Sequence, residues 1–290
     1  MAQRRIGEMA RRVGVSPELL RAWERRYGLL EPVRTESGYR LYSEEDERRV
    51  REMVRLVESG VSPQQAATTV RSGAAAASAD VPGRSLDAEL EELRDALARF
   101  DEAAANTALD RVFAAYSLEA VLGRVILPML DDLGERWATG RATVAEEHFA
   151  SNLIRGRLLG LARGWDAGAG PRAVLACPAG ERHDLGLIAF GLALRSQGWR
   201  ITFLGADTPA ESLADAVRLL RPAVVVLSAA TPEPLSQVPP IPGVPPARLA
   251  FGGRGASADA ARQAGAELLD PDMFSAAGQL GGELRRRVRA

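Results

Sequence analysis

The chain of 290 residues contains one cysteine, Cys177, no lysine, and two histidines, His148 and His183. A single thiol excludes an intramolecular disulfide and any multi-cysteine metal site. Aromatic residues make up 5%, and no apolar run approaches the roughly 20 residues that a membrane span needs. The segment MAQRRIGEMARR has no apolar core, so no secretory signal is expected there and the protein is expected in the cytoplasm. With no lysine, all 37 basic residues are arginine. Alanine is also abundant, and together these read as genome composition bias rather than function. Hydrophobic residues make up 46% and charged residues 26%, an ordinary globular composition with length for about two or three domains.

The net charge of -1 hides an uneven distribution. Residues 1–40 hold nine arginines against five glutamates, and a basic module on a neutral chain points to nucleic acid. The pattern divides into blocks. Residues 1–72 carry short helical patterns and one Gly/Tyr/Arg turn segment. Residues 73–85 are small and polar and read as a linker. Residues 86–165 are helical throughout, and residues 172–290 alternate strands with helices. The fold class expected is multidomain, α and α/β: a winged helix-turn-helix, a four-helix bundle, and a Rossmann-like doubly wound parallel sheet.

In the first block, Ile6, Met9, Ala10 and Val13 share one face of a short helix that Gly14 ends. Ser16 is placed to cap a second helix with Pro17 at its first position. That helix is expected to bury Leu19, Leu20 and Trp23 and to present Glu18, Arg21, Arg25 and Arg26. Arg34 and Arg40 flank a Ser37-Gly38 turn, which predicts a hairpin wing. This segment resembles the MerR family of transcription regulators. The resemblance rests on Gly14-Val15-Ser16, on Leu20-Arg21-Ala22-Trp23-Glu24-Arg25-Arg26-Tyr27-Gly28, and on Gly38-Tyr39-Arg40-Leu41-Tyr42. It implies operator DNA as a partner, read by Glu18, Arg21, Arg25 and Tyr27 on the helix and gripped by Arg34, Tyr39 and Arg40 on the wing. Arginine suits both roles, since it reads guanine edges bidentately and pairs with phosphate. Metal sensors of that family hold their metal with cysteines near the dimer helix. None is present there, so a thiolate-bound metal effector is not expected.

In the second block, Thr143 to Glu146 has capping-box spacing, and Val144, Glu147 and His148 fall on one helical face. In the third, the strand AVLACP runs into Glu181, His183, Asp184 and Gly186. Ser228 and Thr231 follow a later strand, and Gly252-Gly253 the next. Ligands of doubly wound sheets sit at such strand ends. Glu181-x-His183-x-x-Gly186, then 41 residues to Ser228, then Gly252-Gly253 resembles the cobalamin-binding fold of methionine synthase and methylmalonyl-CoA mutase. In that fold aspartate stands where Glu181 is. The resemblance implies cobalamin with its nucleotide tail swung away and His183 as lower axial cobalt ligand. A carboxylate two residues before the histidine orients it, and glycines leave bare backbone for the tail.

The three blocks together resemble the CarH/LitR class of light-dependent repressors, whose hallmark is matched by Trp137, nine residues, then Glu147-His148. The class implies that Trp137, Val144, Glu147 and His148 cover the adenosyl group of adenosylcobalamin. It also implies a homotetramer that binds its operator in the dark and falls apart when light breaks the cobalt–carbon bond. No catalytic residue is implied. A light-independent cobalamin sensor and a corrinoid methyl-carrier subunit are the alternatives, and the carrier has no use for residues 1–72. Two departures stand out. Ala138 occupies the position where well-known members carry the histidine that takes the upper face of cobalt after light, leaving His148 as the other candidate. Residues 232–246 (PEPLSQVPPIPGVPP) are too proline-rich for a crossover helix, and an extended loop is expected.

Overall fold

The computed structural model describes residues 4–35, 39–71, 85–244 and 248–289, with side chains through Gly282. The Ser37-Gly38 turn and most of the expected linker lie outside the described residues. The chain forms two compact units, Met1–Glu146 and Glu147–Ala290.

The first unit opens with β1 (Arg4–Arg5), α1 (Ile6–Val13), α2 (Pro17–Tyr27), β2 (Val33–Arg34), β3 (Arg40–Tyr42), α3 (Glu44–Glu58) and α4 (Pro63–Arg71). Ser16 Oγ accepts the Leu19 N–H at 3.2 Å and starts α2 with Pro17 in its first turn. Met9, Leu20, Trp23, Tyr42, Val50 and Met53 are buried, whereas Leu19, expected inside, is 39% exposed. The wing is a three-stranded antiparallel sheet ordered β1-β3-β2. The pairing of Arg4-Arg5 with Tyr42-Leu41 is an addition to the expected hairpin.

Behind this head come α5 (Leu86–Ala98), α6 (Glu102–Ala115), α7 (Leu118–Val121), a π-helical turn (Leu122–Ile126) and α8 (Leu127–Ala138). The last three form one unbroken helix. Pro128 explains the wide turn: it has no N–H for the Arg124 carbonyl and its ring crowds that carbonyl. Leu127 N–H accordingly bonds one residue further back, to Leu122 O. Next, α9 (Val144–Leu161) crosses the boundary between the units. No helix among the described residues is long and apolar enough to cross a membrane.

The second unit continues with β4 (Arg172–Pro178), α10 (Leu185–Ser196), β5 (Arg200–Thr208), α11 (Ala210–Leu220), β6 (Val224–Ser228), α12 (Pro232–Ser236), β7 (Leu249–Gly252), α13 (Ala258–Ala264), β8 (Glu267–Leu268) and α14 (Met273–Arg289). The strands make one parallel sheet ordered β5-β4-β6-β7-β8. Strand order reverses at β4, so the crevice beyond the carboxyl ends of β4 and β6 is the place for a ligand in such a sheet.

The proline-rich segment carries no full crossover helix, as expected, but its start, Pro232–Ser236, is a short helix where an extended loop was expected. Pro232 sits in the first turn of α12, where its missing N–H costs nothing. Leu235 and Ile241 are buried at 1% and 6% exposure in the core with Leu227, Leu249 and Phe251. Two apolar anchors therefore replace the stripe of a full crossover helix.

Candidate functional site

The loop after β4 is organised by Glu181, which is buried. Its Oε1 accepts the His183 N–H at 2.7 Å and lies 2.6 Å from His183 Nδ1. Its Oε2 accepts the Ala230 N–H at 2.7 Å. Ala230 follows β6, so one carboxylate bridges the point where strand order reverses. Burial alone would raise the Glu181 pKa. The N–H groups of His183 and Ala230, with the His183 ring, outweigh it and hold the carboxyl below its ordinary value. An ionised Glu181 makes Nδ1 the protonated nitrogen and leaves the Nε2 lone pair free. The His183 side chain is 75% exposed. A half-anchored imidazole with one lone pair facing solvent is the arrangement of an oriented metal ligand.

Two further groups hold this loop. Arg155 of α9 grips the buried Asp184, with Nε 3.1 and 3.0 Å from Oδ1 and Oδ2 and Nη2 2.7 Å from Oδ2. The Cys177 thiol donates to the His183 carbonyl at 3.7 Å. Burial, then Asp184 and Glu181, push that thiol up to about 12, so it stays protonated. Sequence reasoning missed Arg155. The signal was its place seven residues after His148, which puts both on one helical face.

Ser228 ends β6 and pairs in register with Gly252, which ends β7. At Gly186 an added Cβ would meet nothing within 4 Å, so the backbone there is open for a ligand. Gly253 is different. Its φ is +84°, and a Cβ would lie 2.5 Å from Ala229 O and 2.6 Å from Ser228 Oγ. The bare backbone at 253 is demanded by the protein's own loops. Thr231 is likewise a backbone neighbour, its carbonyl lying against Gly255. The structure thus gathers Glu181, His183, Asp184, Ser228, Thr231, Gly252 and Gly253 at the carboxyl ends of β4, β6 and β7.

The remaining candidates divide between the units. Trp137 and Val144, in the first, are each 53% exposed. Glu147 and His148, in the second, are neighbours on α9. Glu147 Oε1 accepts from Ser151 Oγ at 2.6 Å, and Oε2 lies 3.6 Å from His148 Nε2. Thr143 and Glu146 make both bonds of the capping box that starts this helix.

In the head, Glu18, Arg21, Arg25 and Tyr27 lie on α2, with Arg21 3.7 Å from Glu18. Arg34 and Arg40 stand on the wing, and the exposed Tyr39 carries the Arg5 guanidinium 5.0 Å over its ring. Arg40 is not free: Glu24 Oε1 holds its Nε at 3.0 Å, while Glu24 Oε2 accepts from Tyr42 Oη at 2.9 Å. Glu24 therefore fastens the wing to α2 and occupies the Arg40 guanidinium. Arg21→Ala is expected to cost about 1–3 kcal/mol of operator binding and to relax base preference. Arg34→Ala is expected to weaken binding to all sequences and lower the salt slope by about one unit. Titrations on operator and random DNA at several salt concentrations measure both; equal losses on the two DNAs for Arg21→Ala would contradict base reading.

The head is also held by Glu47, which receives Arg51 at 2.7 Å, Arg12 at 3.1 Å and Arg4 at 3.3 Å. Arg51 first, then Arg12 and Arg4, hold the Glu47 carboxyl below its ordinary value against the effect of burial. A depressed folded-state pKa contributes stability above the ordinary carboxylate range, lost as pH falls through it. Glu47→Gln should destabilise by about 1–3 kcal/mol at neutral pH. Urea unfolding should show the gap to wild type closing on acidification; a gap that stays constant would contradict the network's charge.

Comparison with known proteins gives the family. Residues 4–73 match the MerR HTH family regulatory protein profile. Residues 89–159 and 171–267 match two B12 binding domain profiles. Over 238 residues the chain is 39% identical to the HTH-type transcriptional repressor CarH of Myxococcus xanthus, covering 79% of this chain and 80% of that protein. The chain belongs to the CarH and CarA family of repressors. It is equally 39% identical, over 242 residues, to CarA of the same organism, covering 81% of this chain and 80% of the relative. The Methanosarcina barkeri monomethylamine corrinoid protein shares the fold, with a TM-score of 0.55 at 16% identity over 69% of this chain and 100% of its own. As a CarH/CarA-type protein, the chain is a DNA-binding transcription regulator with B12-binding domains, and not an enzyme.

Proposed function

We propose that this repressor uses adenosylcobalamin as a light-absorbing cofactor, holds its operator in the cytoplasm as a dark homotetramer, and releases it on illumination. The observation that carries the reading is the Glu181–His183–Ala230 network: a solvent-facing imidazole, its second nitrogen fixed by a buried carboxylate, at the mouth of a parallel sheet. The residues fit the cofactor. Among the described residues no group of three or more His, Cys, Asp or Glu could hold a bare metal ion. A lone imidazole suits a metal that brings its own ring, and the open backbone at Gly186 suits a nucleotide tail. When bound, the cofactor supplies visible-light absorption and a cobalt–carbon bond that light breaks.

In this reading His183 would hold the cofactor through its cobalt, Glu181 fixes its tautomer, and Asp184 with Arg155 keeps the loop in place. Trp137, Val144, Glu147 and His148 take the adenosyl side, as the family resemblance implies. Ligand that binds only the assembled form stabilises it by mass action. Light scattering after size exclusion should show a monomer without cofactor, a tetramer with adenosylcobalamin in the dark, and a smaller species after green light. One mass in all three samples would overturn the assembly. The second reading is cobalamin sensing without light; a tetramer indifferent to green light would support it.

A further inference from the structure

The DNA-reading head meets the helices behind it at a contact between two turns. The α3–α4 turn lies against the α6–α7 turn, where Val61 and Tyr116 form an antiparallel bridge. Ser62 N–H donates to Ala115 O at 3.0 Å and Ser117 N–H to Gly60 O at 2.7 Å. Both residues of the bridge are buried. Arg124 Nη1 adds a bond to Ser59 O at 2.7 Å. Gly60 makes the approach possible: its φ is +98°, and a Cβ there would lie 2.5 Å from Ala120 Cβ.

On the far side these contacts fall on one rod. Ser117 caps α7 through the Ala120 N–H, and Ala120 and Arg124 lie on α7 and the π-helical turn. From Leu118 the helix runs unbroken to Ala138, about 30 Å at 1.5 Å per residue. Trp137 stands at its other end with half its surface exposed. On the near side, α4 follows the turn directly, and Arg71 at its end donates to Tyr27 O, the last residue of α2, at 3.0 Å. A continuous path of hydrogen bonds and helix thus joins Trp137 to the DNA-reading helix within one unit.

We infer that the junction of Ser59–Ser62 with Ala115–Ser117 is a clasp, and that the Leu118–Ala138 rod is a lever carrying a displacement at Trp137 to the head. The inference rests on the proposed placement of Trp137 over the cofactor. It makes each head respond to cofactor within its own chain, in addition to any effect of assembly.

The test uses a cross-link. The flanking bonds mark Val61 and Tyr116 as a non-hydrogen-bonded pair, with Cα atoms about 4.5 Å apart, within disulfide range. The natural Cys177 is buried and does not compete. In full-length Val61→Cys/Tyr116→Cys without cofactor, oxidation should give an intramolecular disulfide by intact mass. Failure to form it would overturn the clasp.

Affinity for a DNA bearing a single half-site is then measured with and without adenosylcobalamin in the dark, so that each DNA takes one head. The reduced protein should show a ratio of roughly 5–150-fold, and the oxidised protein, its clasp locked shut, a ratio at least as large. Cofactor uptake is followed by absorption on the same samples. Uptake with a ratio that falls to about 1 on oxidation overturns the lever alone, as does a wild-type ratio of about 1 on the half-site. No uptake by wild type overturns the cobalamin reading and the lever with it. Should the double variant fail to fold, the exposed Arg124→Ala replaces it. That variant should narrow the ratio several-fold at unchanged cofactor affinity, and an unchanged ratio would overturn the lever.

Discussion

Replacing His183 with alanine is expected to abolish the imidazole-ligated absorption spectrum of bound cobalamin while leaving the sheet intact. The ring is 75% exposed, so its removal opens no core cavity. What it takes away is the one nitrogen that Glu181 has aimed outward. Glu181→Gln is the finer variant. An amide can still accept from the Ala230 N–H through its oxygen. It cannot combine that with a charged acceptor for the His183 ring and backbone N–H, so the imidazole loses its fixed orientation. Loss of such a partner typically costs 10–100-fold, so cobalamin affinity should fall by about that factor. Equilibrium titration with absorption spectra reads both variants. Wild-type spectrum and affinity in His183→Ala would remove His183 from the site.

The second large effect is expected at Ala138. If the proposed cofactor lost its adenosyl group to light, a side chain could take the vacated place, and an alanine offers no ligand. His148 is the other histidine, with its ring 69% exposed and Nε2 3.6 Å from Glu147 Oε2. To ligate, it would have to leave that carboxylate, itself engaged by Ser151. Light is therefore expected to weaken the tetramer while leaving a lit state with one imidazole, less stable than one locked by two. Ala138→His should add a bis-imidazole spectrum after green light and slow reassembly in the dark. An unchanged spectrum and reassembly rate would place residue 138 away from the cofactor. If lit wild type already shows two imidazoles and His148→Ala loses one, His148 has taken the role.

Legibility in the sequence followed distance along the chain. Caps and periodicities are local, and Ser16-Pro17, Thr143 to Glu146 and the strand–helix alternation of 172–268 were readable from spacing. His183 was readable because a carboxylate two residues away carries its own chemical reason. The contacts that make the site work are long-range. Glu181 reaches Ala230 across 49 residues and Arg155 reaches Asp184 across 29, and neither distance leaves a pattern. The clasp was hidden for the same reason, since Ser62 and Ala115 lie far apart along the chain. Leu19 misled because an apolar residue on a short amphipathic helix counts as core until its neighbours are placed. The proline-rich segment misled because proline excludes a helix interior but not its first turn.

The most direct test of the account is operator affinity of the protein loaded with adenosylcobalamin, measured in the dark and again after green light, with His183→Ala alongside. Tight binding in the dark and a large loss after light in wild type, both absent from His183→Ala, is the result the account predicts. Operator binding that is identical with and without cofactor, in dark and in light, would contradict it.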